Sequence, residues 1–229
     1  MIPIRDDAPR STFPYVNYFL IALNTMVFLF EYSLGRHLQM FLNEFGFIPA
    51  RMNAWLSGQL PIDAVIVPIF TSMFLHASWL HLIFNMWALA IFGDNIEDRL
   101  GHFRYLVLYL LSGVGATITH YFFNFDSRIP SLGASGAIAG VMGAYLISFP
   151  SARVLTWVFG FFIFWVPAWL WLSFWFIVQF LSGAASAIAY SAQTTSGVAV
   201  WAHVGGFICG MVLIKLLPPR QKYYLYEGY

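Results

Sequence analysis

The sequence predicts an all-α membrane protein, a six-transmembrane-helix bundle whose short central fourth helix starts below the outer surface. Three observations predict it. Of 229 residues, 60% are hydrophobic and 9% are charged, against about 25% charged in a soluble globular protein. Six apolar segments approach the roughly 20 residues that a helix needs to cross a bilayer. The few polar residues inside those segments recur at one depth, and intramembrane polarity is costly enough to mark a site.

The segments run over about 14–34, 79–98, 103–124, 134–149, 154–183 and 200–217. The fifth is too long for a perpendicular span and holds Pro167, which predicts tilt, a kink or an interfacial first turn. Most of the tryptophans lie in or beside it, where they suit interface anchors or lipid-facing bulk. Residues 1–13 read as a polar tail, 14–217 as one domain and 218–229 as a second tail, with no cleavable signal peptide. The connection over 35–78 contains "MFLNEFGFIPARMNAWL", an amphipathic, aromatic stretch that predicts short helices lying in the interface. The stretch 184–198 is small and polar and suits a mobile cap.

Orientation follows from the basic residues. Arg5, Arg10, Arg99, Arg104, Arg153, Lys215, Arg220 and Lys222 fall on the side of both termini, and only Arg36, Arg51 and Arg128 fall opposite. The positive-inside rule then puts both termini in the cytoplasm, with a prokaryotic plasma (inner) membrane as the expected setting. A net charge of +1 gives no nucleic-acid surface. The single cysteine, Cys209, excludes an internal disulfide and a cysteine-based zinc cluster.

Ser135, His203, His81 and Asn85 are the polar residues to explain. Ser135 lies about 22 Å above the inner end of its segment, His203 about 21 Å and Asn85 about 20 Å, with His81 one turn higher. In a core about 30 Å thick these form one level beneath the outer surface. His81 and Asn85, at i and i+4, share a helix face. Ser135 opens the fourth segment, where free backbone N–H groups and the helix dipole favour negative charge. A deep start for that helix requires a re-entrant loop over 125–133, tolerated only where it lines protein or a wet cavity. Gly136 and Gly140 in the fourth segment match the spacing of Gly206 and Gly210 in the sixth, and small residues so spaced let helix backbones approach. That packing brings Ser135 within reach of His203. Taken singly, Ser135 reads as a packing serine, His203 as an interior histidine, and His81 and Asn85 as helix bridges; the combination favours chemistry.

The combined motifs resemble the rhomboid family of intramembrane serine proteases. "HASWLHLIFN" (76–85) carries a His-x4-His-x3-Asn pattern, "GASG" (133–136) a Gly-x-Ser-Gly motif, and "AHVGGFICG" (202–210) an Ala-His-x2-Gly-x3-Gly motif. "EDRLG" (97–101) also looks like the family's segment at the end of the second span. The resemblance implies Ser135 as nucleophile and His203 as general base, with His81, Asn85 and the Ser135 backbone N–H as the oxyanion hole. Gly133, and at lower weight His76, would support the loop, and Gly136, Gly206 and Gly210 would hold the helices together. The implied activity is hydrolysis of peptide bonds in or near transmembrane segments of membrane proteins, with lipid as the surroundings. The alternative is an inactive rhomboid-like binder of such segments.

No metal or cofactor is implied. His76, His81 and His203 lack a carboxylate ligand or a His-Glu-x2-His stretch that would favour zinc. No acid lies in the outer parts of the fourth and sixth segments to orient His203, and Asp126 is the only nearby candidate. Two features depart from the family pattern. Ala139 stands where some members have a tyrosine beneath the histidine, and Val67-Pro68 where some have Trp-Arg.

Overall fold

Helices form over all six apolar segments, but the fifth is divided. The computed structural model describes residues 1–158, 160–188 and 199–220. The long helices are α1 (Tyr15–Ser33), α5 (Trp79–Leu100), α6 (His102–Phe123) and α8 (Ala168–Ile188), and the shorter apolar ones are α7 (Ser135–Ser148) and α9 (Val200–Leu216). Between α1 and α5 lie the short helices α2 (Leu38–Phe45), α3 (Pro49–Leu56) and α4 (Asp63–Thr71). By length and apolarity, α1, α6 and α8 are long enough to cross a membrane. The segment of α4 and α5 adds a fourth crossing if its two parts, bent by 80°, count as one span. The chain is an integral membrane protein.

The expected fifth helix over 154–183 requires correction. Its first part forms two strands, β2 (Arg153–Val158) and β3 (Phe162–Pro167), joined to an amino-terminal strand β1 (Ile2–Asp6) in the antiparallel order β1-β2-β3. The fold is therefore mostly helical, with a small sheet, rather than all-α. Local chemistry accounts for this. "RVLTWV" and "FIFWVP" are dominated by β-branched and aromatic residues. Gly160 turns between them at φ +77°, and Pro167 closes β3 before the helix starts. A short apolar run has no periodicity to separate strand from helix. Arg5 and Arg153 both sit over the Trp165 ring, 5.6 Å from its centre.

The residues read as an amino-terminal tail are tied to the bundle. Ser11 and Thr12 donate hydrogen bonds to Asp98, and Tyr145 donates to Asp6. Burial pushes the Asp6 carboxyl up to about 6. Helix α1 has Pro14 as its N-cap and no side-chain cap of its own. Instead the Val16 and Asn17 N–H groups donate to Glu97 of α5, at 2.9 and 2.7 Å. The "EDRLG" segment thus pins the start of α1.

Helix α7 is the centre of the core, buried continuously from Gly136 to Tyr145. It packs most extensively on α9, then on α6. A Cβ on Gly206 would collide with the Gly136 carbonyl oxygen, and one on Gly210 with that of Gly140. Only glycine allows this approach of two backbones. The proposed cap over 184–198 lies outside the described residues from 189 on, while 184–188 complete α8.

Candidate active site

Ser135 is the first residue of α7. Its N-cap, Ala134, supplies no side-chain hydrogen bond, so the first-turn N–H groups have no side-chain cap. The preceding loop is held by the long connection. Phe47 and Ser131 exchange backbone hydrogen bonds, Gly133 N–H donates to Ser72 at 2.8 Å, and Asn53 donates to the Phe125 carbonyl at 2.8 Å. Gly133 adopts φ +125°, and a Cβ there would meet the His81 ring at 2.7 Å. The glycine is required because loop backbone, His81 and Ser135 share one small space.

Close packing of α7 on α9 carries Ser135 to His203. Ser135 Oγ lies 2.8 Å from His203 Nε2. Asn85 is buried on α5 and its Nδ2 has no hydrogen-bond partner among the described residues. His81 stands one turn earlier on α5, whose start is capped by Ser78 accepting from the His81 N–H at 3.2 Å. His76 sits in the bend between α4 and α5. Its ring is edge-on to that of His81 at 5.1 Å, and its backbone N–H donates to the buried Glu31 of α1 at 3.1 Å.

Two residues were missed by sequence reasoning, and both are on α8. Gln179 Oε1 lies 2.9 Å from His203 Nδ1. An amide oxygen only accepts, so Nδ1 donates to it, Nε2 is left as an acceptor and the Ser135 hydroxyl donates. Trp175 lies 5.9 Å from the His203 ring, tilted by 37°. The aromatic neighbour absent at Ala139 thus comes from α8, and Asp126 is not the partner of Nδ1. The available signal was Gln179 itself, the only side-chain amide between residues 150 and 188.

The fold and the site define a class of membrane-embedded helical protein with a serine–histidine pair at the start of a buried helix. Residues 64–220 match the Rhomboid domain, and the chain belongs to the rhomboid family. It is 35% identical over 155 residues to RHOMBOID-like protein 6, mitochondrial, of Arabidopsis thaliana, covering 67% of this chain and 45% of that one. It is 33% identical over 150 residues to Rhomboid protein 1, mitochondrial, of Saccharomyces cerevisiae, covering 64% and 40%. Rhomboid protease GluP of Bacillus subtilis is 41% identical over 78 residues, 34% of this chain and 15% of GluP. The chain spans less than half the length of these relatives. The family includes proteases, GluP among them by name.

Proposed function

We propose that this chain is an intramembrane serine endopeptidase acting through a Ser135–His203 dyad. The observation that carries the reading is the 2.8 Å contact between Ser135 Oγ and His203 Nε2 at the uncapped start of α7. In this reading α1, α5, α6, α7, α8 and α9 are six crossings. The 14 residues of α7 extend about 21 Å, which suits a helix that begins below the outer surface. The excess of Arg and Lys on the side of both termini favours their placement in the cytoplasm or its equivalent. The mitochondrial names among the relatives lend no support to a prokaryotic inner membrane.

Ser135 Oγ attacks the scissile carbonyl carbon as its proton passes to His203 Nε2. His81, the Asn85 amide and the Ser135 backbone N–H receive the oxyanion. The buried, unpartnered Asn85 Nδ2 fits that role, because a donor without a ground-state partner is free for charge that develops later. Collapse breaks the C–N bond, and His203 returns the proton to the leaving amine. Water, deprotonated by the same nitrogen, then cleaves the acyl-enzyme and restores the hydroxyl. Substrates are transmembrane segments that unwind easily, since an intact helix keeps its carbonyls hydrogen-bonded.

A fluorophosphonate probe on detergent-solubilised protein tests the reading. Labelling that disappears in Ser135→Ala is expected, together with cleavage of some members of a single-span reporter panel. Folded wild-type protein that takes no label overturns it.

A further inference from the structure

We infer that Gln179 is a positioning residue for His203, standing where the triad template has a carboxylate; this rests on the protease reading. His203 uses both ring nitrogens, Nε2 toward Ser135 on α7 at 2.8 Å and Nδ1 toward Gln179 on α8 at 2.9 Å. The second contact fixes the tautomer. With Nδ1–H donating to the amide oxygen, the Nε2 lone pair points at the serine hydroxyl. The opposite tautomer directs a proton at the serine and cannot act as a base.

An amide suits this location better than an acid. A buried carboxylate in a bilayer carries a heavy desolvation penalty, and a neutral amide does not. What the amide lacks is charge, so it orients the imidazole without strongly stabilising the imidazolium. The titratable groups within electrostatic reach of His203 are His81 on α5 and His120 on α6. Neither supplies the missing negative charge.

Packing gives the amide its aim. Trp175 and Phe176, one turn before Gln179, lie against the rings of His203 and Phe207, with Phe176 and Phe207 stacked at 4.8 Å. One turn after it, a Cβ on Gly183 would meet the Trp201 ring at 3.1 Å. Gln179 is therefore a polar residue in the middle of the aromatic seam by which α8 seats on α9.

The test uses the full chain in detergent, with three readouts on wild type, Gln179→Leu and Gln179→Glu. Wild-type labelling by fluorophosphonate, absent in Ser135→Ala, first establishes that the site is reactive. Gln179→Leu is then expected to label at least about 10-fold more slowly, bounded by the 10²–10⁴ that a general base contributes, with the loss in the inactivation rate constant rather than in probe affinity. Gln179→Glu restores an acceptor and adds charge, so the acid limb of its rate profile moves to higher pH. Nitrogen-15 NMR of histidine-labelled Ser135→Ala protein reads the tautomer without activity, with His203 protonated at Nδ1 and that preference lost when Gln179→Leu is added. A labelled wild type whose Gln179→Leu variant matches it in rate, pH profile and tautomer overturns the inference alone. A wild type that does not label overturns the protease reading, and the tautomer measurement still decides the hydrogen bond.

Discussion

The Gly206 Cα faces the carbonyl oxygen of Gly136 so closely that a methyl group on it has no space. Every distance in the serine–histidine pair depends on that approach, because Ser135 and His203 each lie within one turn of a contacting glycine. Gly206→Ala therefore acts at two levels. We expect a loss of about 1–3 kcal/mol from overpacking, seen as a lower Tm in detergent. Labelling of Ser135 should also slow at temperatures where the variant is still folded.

Asn85 predicts the opposite balance between stability and rate. Its Nδ2 is buried without a partner among the described residues, so removing it takes away an unsatisfied donor rather than a contact. Asn85→Ala should leave Tm unchanged or raised. Turnover should fall by about 10²–10³, the usual loss for one oxyanion donor. Parallel melting and initial-rate measurements separate the two effects.

The protease reading gives a third prediction, that a transmembrane substrate enters between α5 and α8. Helix α8 is seated mainly on α9, and it meets α5 through the buried Phe92 and Trp171 rings at 5.7 Å. A disulfide locking α5 to α8 should abolish cleavage of single-span reporters and spare labelling by a small fluorophosphonate. Undiminished reporter cleavage in the locked protein would show that substrates enter elsewhere.

The amino-terminal strand carries a pH dependence. Asp6 has a folded value of about 6 against an ordinary 3.8, raised chiefly by burial. Its stabilising form is therefore the protonated one. The contribution is complete below about 4 and is lost as pH rises through about 6. Asp6→Asn removes the titration. The Tm of wild type minus that of Asp6→Asn should fall across this window, and a constant difference from pH 4 to 7.5 would contradict the assignment.

Much of the candidate site's geometry was legible because its residues are concentrated in short motifs. His81 and Asn85 share a helix face by spacing alone, and the paired glycine repeats announced the contact of α7 with α9. Gln179 was less legible because its meaning depends on a neighbour 24 residues away. A lone amide in an apolar helix has many ordinary roles. Trp175 was concealed for the same reason, as one ring among many in its segment. The hairpin over 153–167 was misread because hydropathy records burial, and a strand and a helix of equal apolarity look alike at that length.

The sequence by itself determined that the chain lives in a membrane, where most of its long helices fall and which few polar side chains lie inside its apolar segments, because transfer energy and helical spacing are local properties. Tertiary structure decided which helix supplies the partner of His203 and its aromatic neighbour. It also decided that the amino-terminal residues join a sheet with the 153–167 hairpin. Those outcomes depend on pairing between segments far apart in the chain, and pairing energy exists only once the backbones have met.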